Sequence, residues 1–221
     1  MRRFGLGILA VVLAAGGALG CKATREQYFD TLAKVGYERR EILVNRVGEA
    51  RESQQKAQEE FKDALSEFQA LVGYDGGELE KMYNKVSASY EDAKQRADDV
   101  NEKIRKVENV GESLFKEWEA ELGQYDNAAY RRQSEQDLRD TRRRYAEVVE
   151  VMEKAAATMD PVLSKLEDQV LFLKHNLNAR ALGSLQGTAD ELQTDITKLI
   201  GEMEASIAEA DRFIAEMGVK K

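Results

Sequence analysis

The chain of 221 residues carries one thiol, Cys21, and one imidazole, His175. A lone cysteine closes no internal disulfide and has no second sulfur for a metal pair. His175 stands in the polar run Lys174-His175-Asn176-Leu177-Asn178-Ala179-Arg180, and the residues one helical turn away, Leu171 and Ala179, cannot join it on a metal. Gly73-Tyr74-Asp75-Gly76-Gly77 is glycine-rich but lacks the Gly-Lys-Ser/Thr ending of a phosphate loop. No catalytic residue, metal site or cofactor is expected, and the chain does not read as an enzyme. Lys174, His175, Asn176, Asn178 and Arg180 are instead expected to form a surface for a partner.

Cys21 has a different chemistry open to it. Arg2 and Arg3 form a positive start, Phe4 to Leu13 is apolar, and Ala14 to Gly20 is built of small residues. That is the layout of a secretory signal peptide. The uncharged run Phe4–Gly20 is 17 residues and rich in Gly and Ala. A transmembrane helix needs roughly 20 strongly apolar residues, so spanning is the weaker reading. Ala18-Leu19-Gly20-Cys21 resembles the lipobox of bacterial lipoproteins, in which the thiol is diacylglycerylated, the leader is cut and the new amino group is acylated. Each buried methylene contributes about 0.8 kcal/mol, so several chains hold firmly where one holds marginally. Residues 1–20 are thus expected to be a leader, and residues 21–221 one helical domain held at the membrane by acyl chains on Cys21. Lys22 stands where enteric lipoproteins retained at the inner membrane carry Asp. By that resemblance the location is the outer membrane of a Gram-negative cell, facing the periplasm.

Charged residues make up 33% of the chain, aromatics 7%, and one proline is present. Long helices with thin apolar seams fit this better than one thick core. Net charge is −8, and loss of the leader's two arginines takes it to −10. That balance argues against nucleic acid, whose phosphates need a basic face. The basic residues cluster at Arg131, Arg132, Arg139, Arg142, Arg143 and Arg144. Arg132, Arg139 and Arg143 share a helical stripe, which is a candidate patch for lipid phosphate. Pairing with Glu112, Glu117, Glu119 and Glu121 across a helix interface is the plainer reading.

The elements that position these groups follow from spacing. Leu43, Val47, Ala50, Gln54, Ala57, Phe61, Ala64 and Phe68 recur at alternating steps of four and three on a first helix, about Thr24 to Val72. Val86, Tyr90, Ala93, Ala97, Val100, Ile104, Val107, Gly111, Leu114 and Trp118 do the same on a second, Glu78 to Leu122. After a turn at Gly123–Asn127, with Asn127 as N-cap, a third helix runs through Leu138, Thr141, Tyr145, Val148, Met152, Ala155 and Met159. Pro161 is expected to kink this helix without reversing it, the seam resuming at Leu163, Leu166, Val170, Leu173 and Leu177. A turn at Gly183–Gly187 and a Thr188/Glu191 capping box open the last helix, with Leu192, Ile196, Leu199, Met203, Ile207, Ala210, Ile214 and Met217 as its seam.

The predicted fold is all-α: an elongated antiparallel coiled-coil bundle of three to four long helices. Counting outward from the Gly73 turn pairs Phe68 with Met82, Phe61 with Tyr90, Ala57 with Ala93 and Val47 with Ile104. The first two helices then make a rod of about 65–70 Å, and the last, about 45 Å long, stops partway back. The terminal Lys220-Lys221 resembles the end of murein-linked lipoproteins, but a helix ending mid-rod does not suit a tether, so peptidoglycan contact has no support here.

The lipobox, the Gly73–Gly77 turn, the arginine cluster and Leu173–Arg180 together resemble a family of Gram-negative lipoproteins catalogued only as a domain of unknown function. Arg51-Glu52-Ser53-Gln54-Gln55 and Ser184-Leu185-Gln186 fit the same family. The resemblance covers nearly the whole chain, implies a helical coiled-coil envelope protein and transfers no activity. The expected role is a structural or interaction one, with an envelope protein partner or self-association. The alternative is a membrane-associated stress-response or remodelling protein, which the net charge disfavours.

Overall fold

The computed structural model describes residues 39–217, apart from the side chain of Ala179. The chain divides between Glu38 and Arg39. Expectations that fall on Ala18, Leu19, Gly20, Cys21, the start of the first helix at Thr24, and the tail from Gly218 to Lys221 lie outside the described residues. Within them are α1 (Arg39–Val72), α2 (Leu79–Leu122), α3 (Ala128–Ala157), α4 (Met159–His175), α5 (Ala179–Ser184) and α6 (Gln186–Met217). No strand occurs among the described residues, and the fold is all-α.

α1 packs on α2 and α6, and the α3–α4 rod packs on the same two neighbours from the other side. Four rods therefore run up-down-up-down, each flanked by two others. The 4-3 alternation dictates this. On α1 every predicted seam residue is buried, and on α2 every one except Trp118, which is half-buried. Phe61, Phe68, Met152, Leu192 and Ile196 are fully enclosed between the rods. Each such side chain contributes about 1.5–3 kcal/mol by leaving water.

The register of α1 against α2 differs from the loop count. Glu67 pairs with Lys85 at 3.7 Å, Glu60 with Arg96 at 3.3 Å, Glu49 with Lys103 at 2.9 Å, and Arg39 with Glu117. These pairs flank the seam on both sides and centre on Phe61 opposite Ala93 and Val47 opposite Val107. That is about one helical turn further along α2 than predicted. A loop count assumes equal overhang on both sides of the turn. Here the first turn of α2 carries the excess.

The Pro161 kink is borne out. Only Thr158 interrupts the helix, its backbone still right-handed at φ −81° and ψ −12°, with its Oγ1 donating to the Ala155 carbonyl at 2.7 Å. Pro161 is the third residue of α4, where its missing N–H is one that a helix start leaves unpaired anyway. Ion pairs to α6 continue across the break without reversal: Arg144–Glu216 at 3.2 Å, Lys154–Glu202 at 2.7 Å and Lys165–Asp195 at 2.5 Å. The seam resumes at Val162 instead of Leu163, then follows Leu166, Val170 and Leu173.

Three further expectations need correction. The last reversal is not a glycine turn at 183–187; it occupies Asn176 to Leu185 and contains α5. Asn178 caps α5, its Oδ1 accepting from Ala181 N at 3.1 Å, and Leu182 and Leu185 are buried beneath the reversal. Thr188 and Glu191 form no capping box, because α6 has already begun at Gln186. Finally, α6 does not stop mid-rod. Arg40 Nε donates to the Met217 carbonyl at 3.2 Å, so α6 ends level with the described start of α1. α6 has 32 residues and the described α1 has 34, which makes them rods of nearly equal length, about 50 Å.

The seam of α6 also departs from expectation. After Met203 the buried positions are Ser206, Ala210, Phe213 and Met217, while Ile207 and Ile214 sit at its edge. Alternation by threes and fours is kept by admitting a serine. Ser206 Oγ donates to Gln54 Oε1 at 2.9 Å, and both side chains are fully buried.

Candidate functional surfaces

At the end where α4 gives way to α5, Lys174, His175, Asn176, Asn178 and Arg180 are all exposed. The two asparagines serve the local fold. Asn176 Nδ2 donates to the Phe172 carbonyl at 2.9 Å, and Asn178 holds the α5 cap. Lys174 and Arg180 remain as two cations, with the His175 ring, beside Leu171 and Phe172, two apolar side chains 53% and 40% exposed. The exposed apolar pair was not anticipated. Its signal lay in the sequence, because Leu171 and Phe172 fall off the seam that Val170 and Leu173 occupy.

The arginine cluster is brought together on α3 but spent in separate ways. Arg142 donates to Glu119 on α2 at 2.8 Å and lies over the Phe115 ring, 5.0 Å from its centroid. This is the expected pairing across the interface. Arg131 and Arg143 pair within α3, with Glu135 at 3.1 Å and Asp140 at 3.3 Å. Arg139 donates to Gln136 at 2.8 Å, and Arg144 reaches Glu216 on α6. Arg132, Arg139 and Arg143 are exposed. Interhelical pairing therefore accounts for part of the cluster, and pairs one turn apart on α3 account for more of it.

A groove of about 450 Å³ lies between α3 and α6, lined by Arg143, Arg144, Glu147, Arg212, Phe213 and Glu216 among others. Arg144–Glu216 and Arg212–Glu209 pairs close its charges on themselves. Among the described residues no group of His, Cys, Asp and Glu is suited to hold a metal, and no helix is long and apolar enough to cross a membrane.

The most perturbed group among the described residues, Tyr145, sits between α2 and α3. Gly111 leaves room for Tyr145, and a methyl group there would overlap the ring. The ring meets Phe115 edge-on at 5.1 Å and 71°, and its hydroxyl donates weakly to the Glu108 carbonyl at 3.4 Å. Burial, helped by the carboxylates of Glu108, Glu153 and Glu112, pushes the Tyr145 phenol up to about 12. Burial also raises Glu108, reinforced by the charge of Glu153 and by a hydrogen bond between the two carboxyl groups that favours the protonated form of Glu108. Sequence reading placed Tyr145 and Gly111 on helix seams and assigned Glu112 to the arginine cluster, but did not single out Glu108 and Glu153.

At the other end of the bundle, Asn127 caps α3 as predicted, accepting from Ala129 N at 2.8 Å and Tyr130 N at 3.3 Å. Trp118 was expected in the core; it is half-buried, and its Nε1 donates to Ser134 Oγ at 2.8 Å. Between these two residues the α2–α3 hairpin is almost wholly exposed, including Tyr125 at 42% and Tyr130 at 66%.

A comparison with curated proteins finds no match. The profile of one family, described as a protein of unknown function (DUF2959), matches residues 28–217. That stretch takes in the whole described bundle, and the chain belongs to the DUF2959 family.

Proposed function

We propose that this is a lipid-anchored, non-enzymatic coiled-coil protein of the Gram-negative envelope, held by acyl chains on Cys21 and presenting helical faces to envelope components. The observation that carries the reading is Ala18-Leu19-Gly20-Cys21 at the end of a short apolar leader. The long antiparallel bundle supports a scaffold or adaptor role, because its side chains are committed to seams and ion pairs along the whole rod. Lys22 supports the outer membrane, with the bundle in the periplasm. Lys174, His175 and Arg180, beside Leu171 and Phe172, are the surface that best suits a protein partner.

Radiolabelled palmitate tests the anchor. The natural chain should take up label and float with the outer membrane in a density gradient, and Cys21→Ser should do neither. Equal labelling of the two would refute the anchor. In-cell crosslinking from position 172 tests the scaffold role, which predicts a discrete protein adduct that is lost when Lys174 and Arg180 are changed to Glu.

A further inference from the structure

Two ends of the bundle carry exposed large apolar side chains, and they differ in kind. Leu171 and Phe172, at one end, have no polar tip. Tyr125 and Tyr130, at the other, pair an apolar ring with a hydroxyl, the amphipathic form that settles at a headgroup layer.

The tyrosine end is also the one at which the described bundle begins. Arg39, the first residue of α1, pairs with Glu117, and Met217, the last of α6, accepts from Arg40. The first described residue of α1 and the last of α6 thus lie level with Glu117 on α2. α2 runs on to Leu122, turns, and returns as α3, meeting that level again at Ser134 through its bond to Trp118. The intervening residues run about 8–10 Å beyond that level at 1.5 Å per residue. Every residue from 119 to 133 is exposed except Leu122, which is half-buried. The charges there nearly balance, with Glu119, Glu121 and Asp126 against Arg131 and Arg132, so an uncharged surface does not repel them.

We infer that the α2–α3 hairpin tip rests on the phospholipid surface that holds Cys21, with Tyr125 and Tyr130 seated among the headgroups. The inference rests on the lipid-anchor reading above. From Cys21 to Arg39 the chain has 18 residues, a reach of about 60–65 Å at full extension, and it enters the bundle beside this tip. Phe172 lies 42 residues beyond Tyr130 along the α3–α4 rod, roughly 63 Å away. The anchor alone would let the rod swing freely. A second, interfacial contact gives the two-signal attachment that holds firmly and sets the tyrosine end down and the Leu171–Phe172 end outward.

The test uses the full lipidated chain on phosphatidylcholine vesicles. Acylation consumes the only natural thiol, so Gln124→Cys and Phe172→Cys each supply a single site for an environment-sensitive fluorophore, at exposed positions on opposite ends. The label at 124 should shift to the blue on vesicles and lose emission with brominated lipid, while the label at 172 should do neither. Adding Tyr125→Ser and Tyr130→Ser should abolish the shift at 124 without releasing the chain from the vesicles. An unchanged label at 124, equal shifts at both ends, or a shift that survives loss of both tyrosines overturns the inference while the anchor stands. A chain that fails to float, or whose Cys21 itself takes the label, overturns the anchor and the inference with it.

Discussion

The α1–α2 half of the bundle and the α3–α6 half obey the same packing rule with different strictness. α1 and α2 are single unbroken helices whose seam positions alternate without a slip. The other half is interrupted at Thr158, reversed through an added helix between Asn176 and Leu185, and carries a serine in its seam at 206. Yet the halves meet at an irregularity that they share, since Gln54 of α1 is the partner of Ser206 of α6. A seam is a matter of spacing before it is a matter of hydrophobicity. A buried polar residue is tolerated where the facing rod answers it.

The strongest way to break this comparison is to cut into each half separately. Phe61 of α1 and Phe213 of α6 are both buried, at 0% and 2% exposure. Phe61→Ala and Phe213→Ala should each cost about 3–5 kcal/mol in denaturant unfolding. If the halves form one core, both variants keep a single transition. Two separated transitions in either variant would show that the regular half folds by itself.

A smaller effect probes the α2–α3 contact that joins the halves. Gly111→Val drives two methyl groups into the Tyr145 ring and should cost about 1–3 kcal/mol. Shortening the ring to Leu in the same chain should recover much of that loss, and failure to recover it would mean that the glycine serves α2 and not the contact.

The polar pair sharpens the comparison further. Gln54→Leu leaves the Ser206 hydroxyl without its partner and should destabilise by about 1–3 kcal/mol. Joining it with Ser206→Ala should be nearly neutral, because an apolar layer of similar shape replaces a polar one whose Gln54 Nε2 has no acceptor. If the pair sets register or helix number, sedimentation of the double variant should show mixed species. A uniform, unchanged species would assign the pair no such role.

The mildest perturbation is pH. A Tyr145 value of about 12 means that the native state holds a proton which the unfolded chain, near 10, has released. Stability from this site is therefore intact below pH 10 and declines as pH climbs towards 12. Tyr145→Phe should flatten that alkaline limb. Glu108 behaves alike at lower pH: its raised value makes stability fall as pH rises above the ordinary carboxylate range. Glu108→Gln should remove that slope, as read by unfolding between pH 4 and 7.

Much of the fold was legible in the residues. Positions 43 to 68 and 86 to 114 read directly as seams, since uninterrupted alternation leaves one face to bury. Pro161 read correctly as a kink, because no loop residues surround it. The α6 seam failed at Ile207 because an isoleucine beside a serine looks like the inner residue, and only the facing Gln54 shows otherwise. The Gly183–Gly187 turn failed because glycine marks freedom to turn, whereas Asn178 supplied a cap that started a helix earlier. At the surface, the Lys174–Arg180 stretch was legible as polar and exposed. Leu171 and Phe172 were legible as off-seam residues but not singled out, whereas the exposure of Tyr125 and Tyr130 depends on how the rods pack around the hairpin.

By itself the sequence determined the all-α class, most of the helix seams, the bent third rod, the Asn127 cap and the likeness to a family of unknown function. All of these depend on spacing and residue type within one segment. The tertiary structure alone decided the one-turn shift between α1 and α2, the return of α6 to Arg40, the Gln54–Ser206 layer and the exposure of the tyrosine-bearing hairpin. Each of these depends on where one helix ends against another. That height is set by summed packing and ion pairs along the rods, which no local pattern encodes.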